Sequence, residues 1–278
     1  MSNIKLATLQ PDNLRRAWQY LRNDKALWAP SVNRDDLVRN LPYHHFQLLE
    51  DLRNECYRPQ AMRQFVMIKG DGKKRVLSAQ YLRDKLAQRL VLQAIEPIGE
   101  AMFHMDSFGY RPGRGVLHAV VRVKERVRTG LVWLVDADIE KFFDRIPHAP
   151  LRKRVKQIFR DAWLQQLIEQ WLEVGYHSAS LFGVRRGLAQ GAVLSPFLCN
   201  FYLHDFDRAL TRANITFVRY ADDFLLMAPN ETKAKSAYRF AQKQLIKMGL
   251  NYNQEKTRIR RASPSVIFLG KKLPRYRE

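Results

Sequence analysis

Three aspartates carry the first chemical signal in this sequence. Asp138 closes the run LVWLVDAD, and Asp222 and Asp223 interrupt FVRYADDFLL, so acids fall at the ends of stretches that otherwise read as buried strands. A carboxylate at the end of a core strand is costly unless something compensates it. A helix cap or an Arg partner would explain one such Asp; two strands that both end on acids point to a shared site. A sheet that sets the strands side by side would gather an all-oxygen pocket, the donor set of Mg²⁺ or Mn²⁺ rather than zinc. Two such ions about 4 Å apart activate an attacking hydroxyl and stabilise the leaving oxygen in phosphoryl transfer.

Around this acidic focus the chain is strongly basic. Its 48 Lys and Arg outnumber 27 Asp and Glu, giving a formal charge of +21 over 278 residues, and the excess runs from Arg15 to Arg277 without forming one block. Charge of that size repels itself in a compact body unless a polyanion is near, which makes nucleic acid the leading partner. Cys56 and Cys199 lack the paired spacing of a zinc site or disulfide framework. A reduced, cytoplasmic protein is the expectation; the N-terminus has no apolar leader and no apolar run reaches spanning length, hence no membrane.

The elements that must position the acids can be read from pattern. Pro11 opens a helix with apolar residues at Leu14, Ala17, Trp18 and Leu21, and a second helix is expected over Tyr43–Asn54. Gln64–Lys69 and Lys73–Leu77 read as a hairpin around Gly70-Asp71-Gly72, its tip carrying Lys69, Lys73, Lys74 and Arg75. Those cations serve equally as edge protection or as phosphate ligands. An amphipathic helix is expected over Tyr81–Ile95. SFGYRPGRG then forms a glycine and arginine loop before a helix from Val116, suited by Arg111 and Arg114 to a phosphate backbone or, alternatively, to a purely structural turn.

These motifs together resemble a reverse transcriptase of the group II intron type. The likeness runs from about Tyr57 to Gly270 in order: Tyr57-Arg58-Pro59, IKGDGKKR, SFGYRPGRGVLHAV, VDADIEKFFDRIPH, GLAQGAVLSPFLCNFYL, RYADDFLLM, LNYNQEKTRI and FLG. The resemblance implies an α+β right-hand polymerase with fingers and palm, an antiparallel palm sheet flanked by helices. Residues 1–130 are then mainly fingers with N-terminal helices, and 131–278 mainly palm, with a fingers-like insertion at about 150–185.

It also implies roles. Asp138 and Asp222 are the principal metal-binding carboxylates, Asp223 the third acid, and the Ile139 carbonyl faces the metal, Mg²⁺ with Mn²⁺ as a substitute. Tyr220 and Ala221 lie by the primer end. Phe143, five positions after Asp138, is the ring that rejects a 2′-hydroxyl, with Phe142 beside it as the competing register. Gln190 contacts the incoming nucleotide, Lys69 and Arg75 close on the triphosphate, and Lys256 protonates pyrophosphate. Arg111 and Arg114 contact template.

The implied activity is RNA-directed DNA polymerisation from dNTPs on a DNA or RNA primer and an RNA template. An RNA-templated RNA polymerase and a polymerase-derived nucleic-acid-binding subunit are the other readings. Two departures qualify the likeness: NDKALWAPSVNRDDL lacks the glycine-rich segment of intron enzymes, and the sequence ends at Arg275-Tyr276-Arg277-Glu278 without a helical thumb. A protein partner replacing the thumb is therefore expected, in a CRISPR, antiviral-defence or retroelement context.

Overall fold

A computed structural model describes residues 2–68, 74–175 and 185–273. Along the chain the described elements are α1 (Asn3–Thr8), α2 (Pro11–Leu21), α3 (Arg34–Arg39), α4 (Leu41–Arg53), β1 (Arg63–Ile68), β2 (Lys74–Ala79), α5 (Leu82–Met102), α6 (Val116–Arg128), β3 (Trp133–Asp138), α7 (Phe142–Arg145), α8 (His148–Ile158) and α9 (Ala162–Val174). They continue as α10 (Ser195–Arg212), β4 (Thr216–Tyr220), β5 (Asp223–Ala228), α11 (Glu231–Lys247), β6 (Arg258–Arg261), β7 (Ile267–Phe268) and β8 (Lys271–Lys272).

Two units emerge, residues 1–99 with 147–195, and 100–146 with 196–278. The segment 100–130, expected with the N-terminal part, thus belongs with the second unit. The physical reason is α6, whose Ala119, Val120, Val123 and Val127 share one buried cluster with Leu134, Val218, Leu225 and Met227 of the sheet.

In the first unit β1 and β2 form the expected antiparallel hairpin, with Arg63 opposite Ala79 and Ile68 opposite Lys74. Its tip lies outside the described residues. Tyr57 is buried and donates to Asp84 Oδ1 at 2.6 Å, while Trp171 Nε1 donates to the Tyr57 hydroxyl at 3.2 Å. Asp84 also accepts from the Gln60 amide at 2.9 Å. These bonds tie α4's exit, α5 and α9 together, and they satisfy polar atoms that burial would otherwise penalise.

In the second unit a four-stranded antiparallel sheet runs β4-β5-β3-β6. FVRYADDFLL, read as one buried strand, is instead a hairpin: Tyr220 pairs with Asp223 across the two-residue turn Ala221-Asp222. Side chains alternate across the pleat. Leu225 and Met227 join the α6 cluster. On the opposite face Phe224 meets Phe206 of α10 at 5.3 Å and Tyr252 at 5.9 Å, and α11 buries Ala234, Ala237, Ala241 and Leu245. Coverage on both faces explains why the central strands are continuously apolar. Each fully buried Leu or Phe there contributes about 1.5–3 kcal/mol.

Candidate active site

The sheet order brings the separated acids together. β3 and β5 are neighbours, and their register sets Asp138 directly opposite Asp223. Asp222 occupies the turn, and its carbonyl accepts from the Ile139 amide at 3.3 Å. The turn is tight: Ala221 lies in the left-handed region at φ 57°, uncommon for a residue with a Cβ. Gly109 packs directly against it. A Cβ at Gly109 would collide with the Ala221 amide nitrogen and stand 3.0 Å from the Tyr220 carbonyl carbon, so this close approach requires glycine.

Charge is concentrated here. The Asp223 carboxyl is pushed up to about 6, first by burial of the carboxyl and then by the Asp138 and Asp222 charges. Lys256 is the countercharge: its Nζ lies 2.7 Å from Asp138 Oδ2, and this hydrogen bond raises its pKa. Asn253 Nδ2 reaches the same oxygen at 3.3 Å, while the Asn253 amide donates to the Asp138 carbonyl at 2.8 Å. Asp136 is paired with Arg260. Among the described residues no three His, Cys, Asp or Glu side chains are drawn together as a ready-made metal cluster. The donor set nevertheless fits a hard divalent cation, because the register places Asp138 opposite Asp223 beside the turn that carries Asp222, and all three side chains offer carboxylate oxygens.

Other expected site residues divide clearly. Phe142 is 2% exposed and belongs to the core, whereas Phe143 is half-buried, edge-on to Tyr110 at 6.2 Å. Tyr220 is half-buried and Ala221 buried beside the acids.

Gln190 belongs to the first unit, in a loop whose ends are pinned by buried polar groups. Gln80 and Gln88 accept from the amides of Val193 and Leu194 at 3.1 and 2.9 Å, and His148 Nε2 lies 2.6 Å from the Gly187 carbonyl. Lys69 lies outside the described residues, as does the side chain of Arg75 on β2.

Arg111 has internal partners. Expected on the template, its guanidinium is buried and spent internally: it grips both Glu100 oxygens, with Nη2 2.8 Å from Oε2, and donates to the carbonyls of His104 and Ser107 at 2.7 Å each. Arg114 is partly exposed and gives one bond to the Met105 carbonyl at 2.6 Å.

Sequence reasoning did not single out Asn253, although it sits in the same NQEK stretch as Lys256. It also passed over Arg219, whose signal was available as a lone Arg inside an apolar strand.

The profile of the reverse transcriptase (RNA-dependent DNA polymerase) family matches residues 67–273. The chain belongs to that family. This reverse transcriptase is 30% identical to protein YkfC of Escherichia coli over 317 aligned positions, covering 99% of the chain and 83% of the relative. It is 31% identical over 214 residues to the group II intron-encoded protein LtrA of Lactococcus lactis, covering 76% of the chain but 35% of LtrA. In structure it resembles an apo telomerase from Candida tropicalis (TM-score 0.56, 13% identity, 81% of this chain and 50% of that one). It also resembles a chain of a partial Cas6-RT-Cas1--Cas2 complex (TM-score 0.50, 24% identity, 88% and 42%).

The fold is therefore that of reverse transcriptase fingers and palm, and the function of the family is RNA-directed DNA synthesis on nucleic acid substrates with divalent metals. Among the described residues no helix is long and apolar enough to cross a membrane.

Proposed function

We propose that this chain extends a DNA or RNA primer on an RNA template, adding deoxynucleotides from dNTPs to the primer 3′-hydroxyl. The observation that carries the reading is the register of Asp138 opposite Asp223 with Asp222 in the intervening turn. Asp138 and Asp222 would hold a divalent ion, Mg²⁺ first and Mn²⁺ as a substitute, with Asp223 and the Ile139 backbone beside them. When bound, such an ion promotes ionisation of the attacking hydroxyl and neutralises charge on the triphosphate.

The chain's own residues supply the rest. Lys256 keeps its proton because Asp138 stabilises the ammonium, and it delivers that proton to the departing pyrophosphate. Phe143 fills the space that a 2′-hydroxyl needs, which selects deoxynucleotides. Tyr220 and Ala221 form the floor under the primer terminus, and Gln190 contacts the incoming nucleotide. Lys69 and Arg75 bind the triphosphate, where added positive charge and alignment favour in-line attack. Arg114 contacts the nucleic acid backbone.

Primer extension on an RNA template with dNTPs tests the reading. The wild type is expected to make product that depends on Mg²⁺ or Mn²⁺, and Asp222→Asn to make none. Equal extension by Asp222→Asn overturns it.

A further inference from the structure

Arg219 is fully buried in the strand that leads into the acidic turn, and burial of a guanidinium is costly unless every charge-bearing group around it is satisfied. Here it is satisfied by α10. Nε and Nη2 donate to the two oxygens of Asp207 at 2.8 and 2.6 Å, a fork on a carboxylate that is itself fully buried. Nη1 donates to Asn200 Oδ1 at 2.9 Å and to the Ala221 carbonyl at 3.0 Å. The last bond leaves the ion pair and reaches the turn itself.

The opposite side of the turn is held by the same network. Asn200 Nδ2 donates to the Gly109 carbonyl at 2.7 Å, and Gly109 is the residue pressed against Ala221. The backbone of Arg219 closes the circuit: its amide donates to Asp106 O and its carbonyl accepts from the Phe108 amide, both at 2.9 Å. Ala221 therefore keeps its left-handed φ of 57° between a fixed carbonyl on one side and a fixed glycine on the other. Such backbone persists only where its surroundings determine it.

We infer that Arg219, with Asp207 and Asn200, is a positioning clamp that fixes the Ala221-Asp222 peptide and so sets Asp222 against Asp138. The inference deepens the polymerase reading and rests on it. A stabilising ion pair alone needs only Asp207; the bonds to Ala221 and Asn200 are what a clamp adds. Arg219 touches no substrate in this assignment and acts only through the turn.

The test separates positioning from stability. A buried ion pair replaced on both sides by apolar residues often folds as well as the original, so the double variant Arg219→Met with Asp207→Leu removes the clamp without stranding a charge. Its expected kcat for primer extension falls at least about tenfold, because small misplacement of reacting groups is costly, while KM for dNTP and affinity for template-primer stay within about twofold. Amide exchange should rise locally at Phe108 and Ile139, which bond to the Arg219 and Asp222 carbonyls, and stay low along the β3–β5 ladder.

Wild-type kcat, unchanged exchange at those amides, or a fall in template affinity matching that in kcat overturns the clamp. If the double variant does not fold, Asn200→Ala, which keeps the ion pair, decides by the same measurements. A wild type that extends no primer counts against the polymerase reading alone, since amide exchange still judges the clamp.

Discussion

At the scale of single residues, neighbours of identical type do different work here. Phe142 and Phe143 are consecutive, yet the first is sealed in the core and the second half-open beside Tyr110. Phe143→Ala is expected to relax the preference for dNTP over rNTP, measured as the ratio of kcat/KM values, with little change in stability. Phe142→Ala should do the reverse, costing about 3–5 kcal/mol in urea unfolding because it opens a core cavity, with sugar preference kept in whatever fraction folds. A Phe143→Ala enzyme that still rejects rNTPs would remove the gate. The two rings could not be told apart from spacing alone, since both lie on one short helix, α7, and only burial separates them.

At the scale of elements, most of the fold was legible because hydrophobic period and turn residues agreed. Pro11 starts α2, α4 covers the expected stretch within two residues, and the β1–β2 pairing follows the alternation. The β4–β5 hairpin was not legible, because its turn is Ala-Asp and carries none of the Asn-Gly or Gly signals that mark two-residue loops. Its left-handed Ala221 is imposed by long-range contacts with Gly109 and, through Arg219, with α10, which no local window contains. The same reason hid the role of Arg111: its partner Glu100 belongs to α5, beyond the loop that suggested phosphate binding.

Element packing also sets a pH dependence. His45 of α4 stands edge-on to Trp18 of α2 at 4.8 Å and tilted to Trp28 at 6.1 Å. Its Nε2 is buried without a hydrogen-bond partner among the described residues. Burial, then the neighbouring His44, lowers its pKa to about 4 from 6.5. Between those values the unfolded chain binds a proton that the folded chain refuses, so stability is complete above pH 6.5 and is lost as pH falls toward 4. His45→Gln should flatten that part of the stability profile. Urea midpoints of the two proteins, compared at pH 7 and pH 4.5, check it; parallel profiles would refute the assignment.

At the scale of the whole molecule, the surplus of +21 cannot be cancelled from within. Every internal ion pair consumes one cation and one anion together, so pairs such as Arg219–Asp207 and Arg111–Glu100 leave the surplus untouched. What remains must be balanced by solvent ions or by a polyanion, and displacement of condensed counterions from a phosphate backbone makes the second option strongly salt-dependent. Template-primer affinity is therefore expected to fall by roughly 10³-fold or more between 50 and 200 mM salt, with little dependence on base sequence. Arg111→Ala gives the internal control. Because its guanidinium already serves Glu100 and two carbonyls, the variant should lose stability while the slope of log affinity against log salt stays at the wild-type value. A slope shallower by about one would mean that Arg111 reaches a phosphate after all, and that the ion pair with Glu100 opens when nucleic acid binds.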